Sequence, residues 1–187
     1  MMTFDQSLQK SLETLHALRT IRPAIDAAGD LILETLKTGN KLIACGNGGS
    51  AAEAQHLTTE LVGRYRSNRR SLPAVALTSD GTLMSCIGND FGWDQVFVRQ
   101  FEGIATEGDL LVCLSSSGQS RDLVTVLETA RKHGIHSLAL LGKGGGACQG
   151  LATIEVIIPS DQTASVQEAH LFLIHHFCER IEGAFPA

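Results

Sequence analysis

The sequence predicts an α/β fold: a parallel sheet of five strands, covered by helices on both faces and preceded by two further helices. Two observations carry this expectation. Five short apolar runs, at residues 41–45, 74–78, 110–114, 137–141 and 154–158, alternate with helical patterns. Each run is followed by Gly, Ser, Thr or Asp before the next helical stretch, as strand-to-helix turns are.

The elements follow in order. Residues 4–18 carry Leu8, Leu12, Leu15 and Leu18 at spacings of three and four, one apolar stripe of a helix. Residues 23–36 repeat the pattern with Ile25, Ala28, Ile32 and Leu36, and Gly39 is the expected stop. The strand runs then begin. The last helix is expected over 165–181, with Val166, Ala169, Phe172, Leu173, Phe177 and Ile181. The most polar loop, 68–71, reads as a solvated turn. With no repeat or long linker, residues 1–187 form one domain, and the helical pair in 1–39 is expected to serve oligomer packing.

Composition excludes several classes. At 187 residues and 43% apolar content, the chain can bury a proper core. A net charge of −5 leaves no basic footprint for nucleic acid. No run approaches the length of a membrane span, and residues 1–19 lack the apolar stretch of a signal peptide. The five scattered cysteines read as reduced, buried thiols of a cytoplasmic protein.

Two strand-end loops stand out. Gly46-Asn47-Gly48-Gly49-Ser50 follows the first strand, and Ser115-Ser116-Ser117-Gly118-Gln119-Ser120 follows the third. Parallel sheets bind ligands beyond the carboxyl ends of their strands. Glycines let the backbone approach an anion, helix N-termini offer free N–H groups, and serine hydroxyls add donors. One helix cap needs one hydroxyl, and the second loop has four. Neither loop has the Walker or the dinucleotide spacing, so a phosphate is expected and a nucleotide is not.

Candidate chemistry lies downstream. His56, Glu60 and Arg64 are four residues apart, so on a helix they share one face. The final helix holds Gln167, Glu168, His170, His175 and His176; Gln167 and His175 are about 80° apart in azimuth. The two helices together offer His, Glu, Gln and His, an oxygen–nitrogen set suited to a zinc-like ion, and the same Glu and His can act as an acid/base pair.

These segments occur in the order Gly46–Ser50, Gln55-His56 with Glu60, Gly63-Arg64-Tyr65, Gly88-Asn89-Asp90-Phe91-Gly92, Ser115–Ser120 and Gln167-Glu168-x-His170 with His175. Together they resemble the sugar isomerase (SIS) family, specifically its phosphoheptose isomerases, over nearly the whole chain. The resemblance implies a three-layer, flavodoxin-like sandwich with a central five-stranded parallel sheet, and a homotetramer whose active sites draw on more than one subunit. It implies conversion of sedoheptulose 7-phosphate to D-glycero-D-manno-heptose 7-phosphate, the first step towards the heptose of lipopolysaccharide or other surface glycans. It implies one zinc per subunit at His56, Glu60, Gln167 and His175. Substrate contacts fall on Asn47, Gly48, Ser50, Glu60, Arg64, Asp90, Ser115, Ser116, Ser117, Ser120 and Gln167, and proton transfer on Glu60 and His175.

The sequence departs from the family pattern at Thr163-Ala164-Ser165, where some members carry an acid, and at Ser116, where Thr is frequent. The alternatives are a non-enzymatic relative that binds the bacterial replication initiator, a regulatory sugar-binding domain, and an isomerase of another sugar phosphate. The presence of both Glu60 and His175 favours the enzyme.

Overall fold

The structure, a computed structural model, describes residues 2–186. Helices α1 (Phe4–Ala17) and α2 (Arg22–Lys37) are joined by a 3-10 turn at Leu18–Ile21. A capping box at Thr3 and Gln6 starts α1, and Pro23 sits in the first turn of α2. The strands are β1 (Leu42–Gly46), β2 (Ala74–Ala76), β3 (Leu110–Ser115), β4 (His136–Leu141) and β5 (Ile154–Ile157). All pair in parallel, in the order β2-β1-β3-β4-β5. Between and after them run α3 (Gly49–Val62), α4 (Gly81–Phe91), α5 (Val98–Ile104), α6 (Arg121–Lys132) and α7 (Thr163–Ala184).

Alternation along the strands builds the three expected layers. Leu42, Ala44, Leu110, Val112, Leu138 and Leu140 face a core formed with α2, α3 and α7. Ile43, Cys45, Leu111, Cys113, Ala139 and Leu141 face the other core, formed with α4, α5 and α6.

Three expectations change. After β4 there is no α-helix: Gly144, Gly145 and Gly146 take positive φ, and the chain forms only an irregular 3-10 segment over Lys143–Cys148. The cysteines are all free, but Cys86 is exposed, because it lies on the outward face of α4. In the 68–71 loop, Arg69 is 7% exposed rather than solvated, because its guanidinium serves the carbonyls at the end of α3. On the end helices Leu18 is buried, whereas Leu8 and Leu12 stay exposed, as does Phe172 on α7, so their apolar residues exceed what the core of one chain covers.

The central pair of strands is fixed at its amino end by Asp109, which is 1% exposed. Its carboxylate accepts from the Lys41 N–H at 3.0 Å and the Thr106 N–H at 2.7 Å, and pairs with the Lys41 ammonium. Burial pushes its pKa up, but the bonds from Lys41 and Thr106 outweigh this and hold it below the ordinary carboxylate value. A depressed folded-state pKa stabilises above the unfolded value, and that stability is lost as pH falls through the folded one. Asp109→Asn is therefore expected to cost about 1–3 kcal/mol near neutral pH. In chemical unfolding, the difference from the parent should shrink as the medium is acidified below the usual carboxylate range.

Candidate active site

The strand order reverses between β1 and β3, and at that switch point the loops following these two strands open side by side, since Gly46 pairs with Leu114. There they enclose a cavity of about 140 Å³, lined by Asn47, Ser50, Ser115, Ser116, Ser117 and Ser120. A hollow of about 400 Å³ lies at the opposite end of the sheet, beside His136 and Thr153. It has no strand carboxyl end or helix N-terminus of the kind that binds anions.

This cavity, the cradle, has features suited to an anion. Gly48 opens α3 with φ 55° and supplies no capping side chain; the Ser50 and Ala51 N–H groups bond back to the carbonyls of Asn47 and Gly48, which leaves those of Gly48 and Gly49 for a ligand. Ser120 opens α6 without capping it through its hydroxyl. Ser115 Oγ accepts from the Gly118 N–H at 2.9 Å and Ser117 Oγ from the Gln119 N–H at 3.2 Å. These bonds orient both oxygens and leave both hydroxyl protons to donate.

Asp122 was not anticipated from the sequence. It is 2% exposed, in the first turn of α6. Asn47 Nδ2 donates to its two carboxylate oxygens at 3.1 and 2.9 Å, and the Leu123 N–H donates at 2.9 Å. Asp122 thus fixes the Asn47 side chain at the cradle's edge. The signal in the sequence was an acid two residues after Ser120, where a helix N-terminus favours negative charge.

A second group lies further along α3. His56 Nε2 is 3.0 Å from His175 Nε2 and 3.3 Å from Glu60 Oε1, and ligand atoms of all three side chains lie within 4.8 Å of one another. Tyr65 stacks on His175, with centroids 5.9 Å apart and planes inclined by 28°. Two nitrogens and an oxygen at this spacing fit a zinc-like ion. Cys178 lies close enough to feel Glu60: burial first, and then the Glu60 carboxylate, push its thiol up to about 12, so it stays neutral and takes no part as a thiolate.

Contacts between α3 and α7 climb together: Gly49 with Gln167, Glu53 with His170, His56 and Glu60 with His175. The two helices therefore run in the same direction, joining the cradle to the His/Glu/His group. A Cβ on Gly49 would meet the Gln167 amide, so this glycine leaves room for that side chain beside the cradle. His170 is fully buried, with Nδ1 3.7 Å from Glu53 Oε2.

The expected site residues thus divide. Asn47, Gly48, Ser50, Ser115, Ser116, Ser117 and Ser120 meet at the cradle, with Gln167 at its edge. His56, Glu60 and His175 meet at the other end of the groove. Arg64 does not share their helical face as expected: α3 ends at Val62 with Gly63 as its cap, and Arg64 is exposed beyond it. Asp90 lies on the exposed end of α4, which packs on the other face of the sheet, and bonds only with Asn89 and Cys86 among the described residues.

Comparison with known proteins agrees with this geometry. The SIS domain profile matches residues 4–142. The phosphoheptose isomerase of Campylobacter concisus is 46% identical over 162 residues, 87% of this chain and 86% of that protein. Two solved structures superpose closely. The phosphoheptose isomerase of Neisseria gonorrhoeae does so with a TM-score of 0.87 at 35% identity over 95% of each chain. That of Francisella tularensis does so with 0.88 at 36% identity, covering 96% of this chain and 94% of its own.

The cradle yields a direct test. Ser117→Ala and Ser120→Ala should each weaken binding of inorganic phosphate, measured by calorimetry, by about 1–3 kcal/mol. Thermal unfolding should be unchanged. Unaltered phosphate affinity in both variants would remove the cradle from the account.

Proposed function

The chain belongs to the SIS domain family and to the phosphoheptose isomerases within it, and on that premise we propose that it converts sedoheptulose 7-phosphate to D-glycero-D-manno-heptose 7-phosphate. The observation that carries the reading is the groove between α3 and α7. His56 lies seven residues beyond Gly49, about 10 Å along the helix axis at ~1.5 Å per residue. With single bonds of about 1.5 Å, an extended seven-carbon chain separates its reacting end from its phosphate by about 8–10 Å. A phosphate on the serine loop thus sets C1 and C2 beside Glu60 and His175.

The chemistry follows from those two groups. Glu60 takes a proton from C1 while His175 gives one to the oxygen at C2, forming the enediol. Glu60 then returns the proton to C2 while His175 takes one from the oxygen at C1, leaving the aldose. Both groups end as they began, with no external oxidant or reductant. His56, Glu60 and His175 are the residues that would hold zinc, which would polarise the carbonyl and stabilise the developing negative charge; Gln167, expected as a fourth ligand, has its amide against Gly49 at the cradle end and stands apart from them. In this reading Glu60 and His175 would alternate between holding the ion and carrying protons, whereas His56 would only hold it.

The protein works as a homotetramer in this reading. The exposed Leu8, Leu12 and Phe172 supply apolar surface for a second copy, consistent with a packing role for residues 1–39. Asp90 and Arg64 would then reach a neighbouring site. A cytoplasmic location fits the five free cysteines, and among the described residues no helix is long and apolar enough to cross a membrane. The product would feed the heptose of surface glycans.

Glu60→Gln and His175→Gln should each lower turnover about a hundredfold or more, the scale of losing a general acid or base, while still binding inorganic phosphate. In heavy water, the parent enzyme should place deuterium on C1 or C2 of the sugar; near-full activity in Glu60→Gln would refute the base assignment. Light scattering at micromolar concentration should give a tetramer, and a 20 kDa monomer would contradict the assembly.

A further inference from the structure

We propose that Arg69, acting with Glu182, is a positioning residue that holds the two proton-transfer groups at reacting distance. The inference rests on Glu60 and His175 being those groups. Arg69 lies in the loop between α3 and β2, and its side chain is 1% exposed. Nη2 donates to the carbonyl of Glu60 itself at 2.7 Å, and Nη1 donates to the carbonyls of Leu61 and Arg70, each at 2.9 Å. The last carbonyls of a helix have no intrahelical partner and carry its negative pole. A buried guanidinium satisfies both needs at the turn that presents Glu60.

The same cation reaches the other helix. Arg69 Nε lies 3.2 Å from Glu182 Oε1, on α7. The second oxygen of Glu182 accepts from the Ser67 N–H at 2.9 Å and from the Ser67 hydroxyl. Burial pushes the Glu182 pKa up, but the Ser67 bonds and the Arg69 charge outweigh it and hold it below the ordinary value, so the pair is ionised. Glu182 is seven residues beyond His175, about two helical turns, and so lies on the same side of α7. One guanidinium is therefore hydrogen-bonded to the backbone of Glu60 and ion-paired with the helix that carries His175.

Bulk stability does not require such a device, since a buried ion pair can often be replaced by apolar residues without loss. What it supplies is a fixed register between two helices. A lysine keeps the charge but loses the planar fork that serves three carbonyls and a carboxylate together.

The test uses Arg69→Lys and Glu182→Gln, with Glu60→Gln as the reference. Arg69→Lys should lower kcat about tenfold or more, because small misplacements of reacting groups are costly. KM for the sugar phosphate and inhibition by inorganic phosphate should stay within about twofold, since the cradle is at the far end of α3. Glu182→Gln leaves the Arg69 bonds to the carbonyls and removes the ion pair, setting an amide NH2 against Arg69 or Ser67, so a smaller fall in kcat, about threefold, is expected. A purely structural role would lower the melting temperature and leave kcat at room temperature intact. Unchanged kcat in the folded variants therefore overturns the proposal, and if Arg69→Lys does not fold, Glu182→Gln decides alone. If Glu60→Gln is fully active, the base assignment has failed. If Glu60→Gln is inactive while the other two variants keep full kcat, only the positioning role has failed.

Discussion

The structure turns on the parallel packing of α3 against α7. A strand-to-helix turn ends in the phosphate-type loop, and α3 leads directly away from it, carrying His56 and Glu60. Because α7 lies alongside in the same direction, its Gln167 and His175 arrive at the two ends of the same groove. At the cradle end Gly49 leaves room for the Gln167 amide, which any side chain there would displace. At the far end the helices are held by Arg66 to Glu179 and by Ser67 and Arg69 to Glu182. Between them the buried Glu53 and His170 face each other. A change in register at any of these points would shift His175 relative to His56 and Glu60, or Gln167 relative to the serine loop.

The sheet decides where the groove begins. In a parallel sheet all strand carboxyl ends lie on one side, and the reversal of strand order at β1 and β3 leaves their loops uncovered by a crossover. Asp109 fixes those strands at the opposite end, so the loops open from a rigid base. The cradle contains no Lys or Arg; its donors are serine hydroxyls and backbone amides. Asp122 adds a buried negative charge at its rim and orients Asn47. Such a site is selective by geometry more than by net charge.

Much of this was legible in the sequence because it is local. Strand runs, helical stripes and the two loops each depend on neighbours within a few residues, and the i,i+4 spacing placed His56 beside Glu60 correctly. What failed were the places where the chain ends an element. Arg64 was projected along α3 past the point where Gly63 stops it. Arg69 looked like part of a solvated turn, because nothing local reveals that its partners are the carbonyls of Glu60 and Leu61 and a carboxylate 113 residues away. Asp122 was passed over because its partner, Asn47, is 75 residues distant. The pairing of His56 with His175 came from their donor chemistry and from the family resemblance, since no local spacing links residues 119 apart.

The central claim is that the groove measures the substrate, with the phosphate at one end and the reacting carbons at the other. The most direct measurement compares kcat/KM for sedoheptulose 7-phosphate with that for ketose phosphates of six and five carbons, under saturating zinc. The account predicts efficient aldose formation from the seven-carbon sugar and a fall of about a hundredfold or more for each shorter chain that cannot span from the serine loop to Glu60 and His175. Equal kcat/KM across the three chain lengths would contradict it.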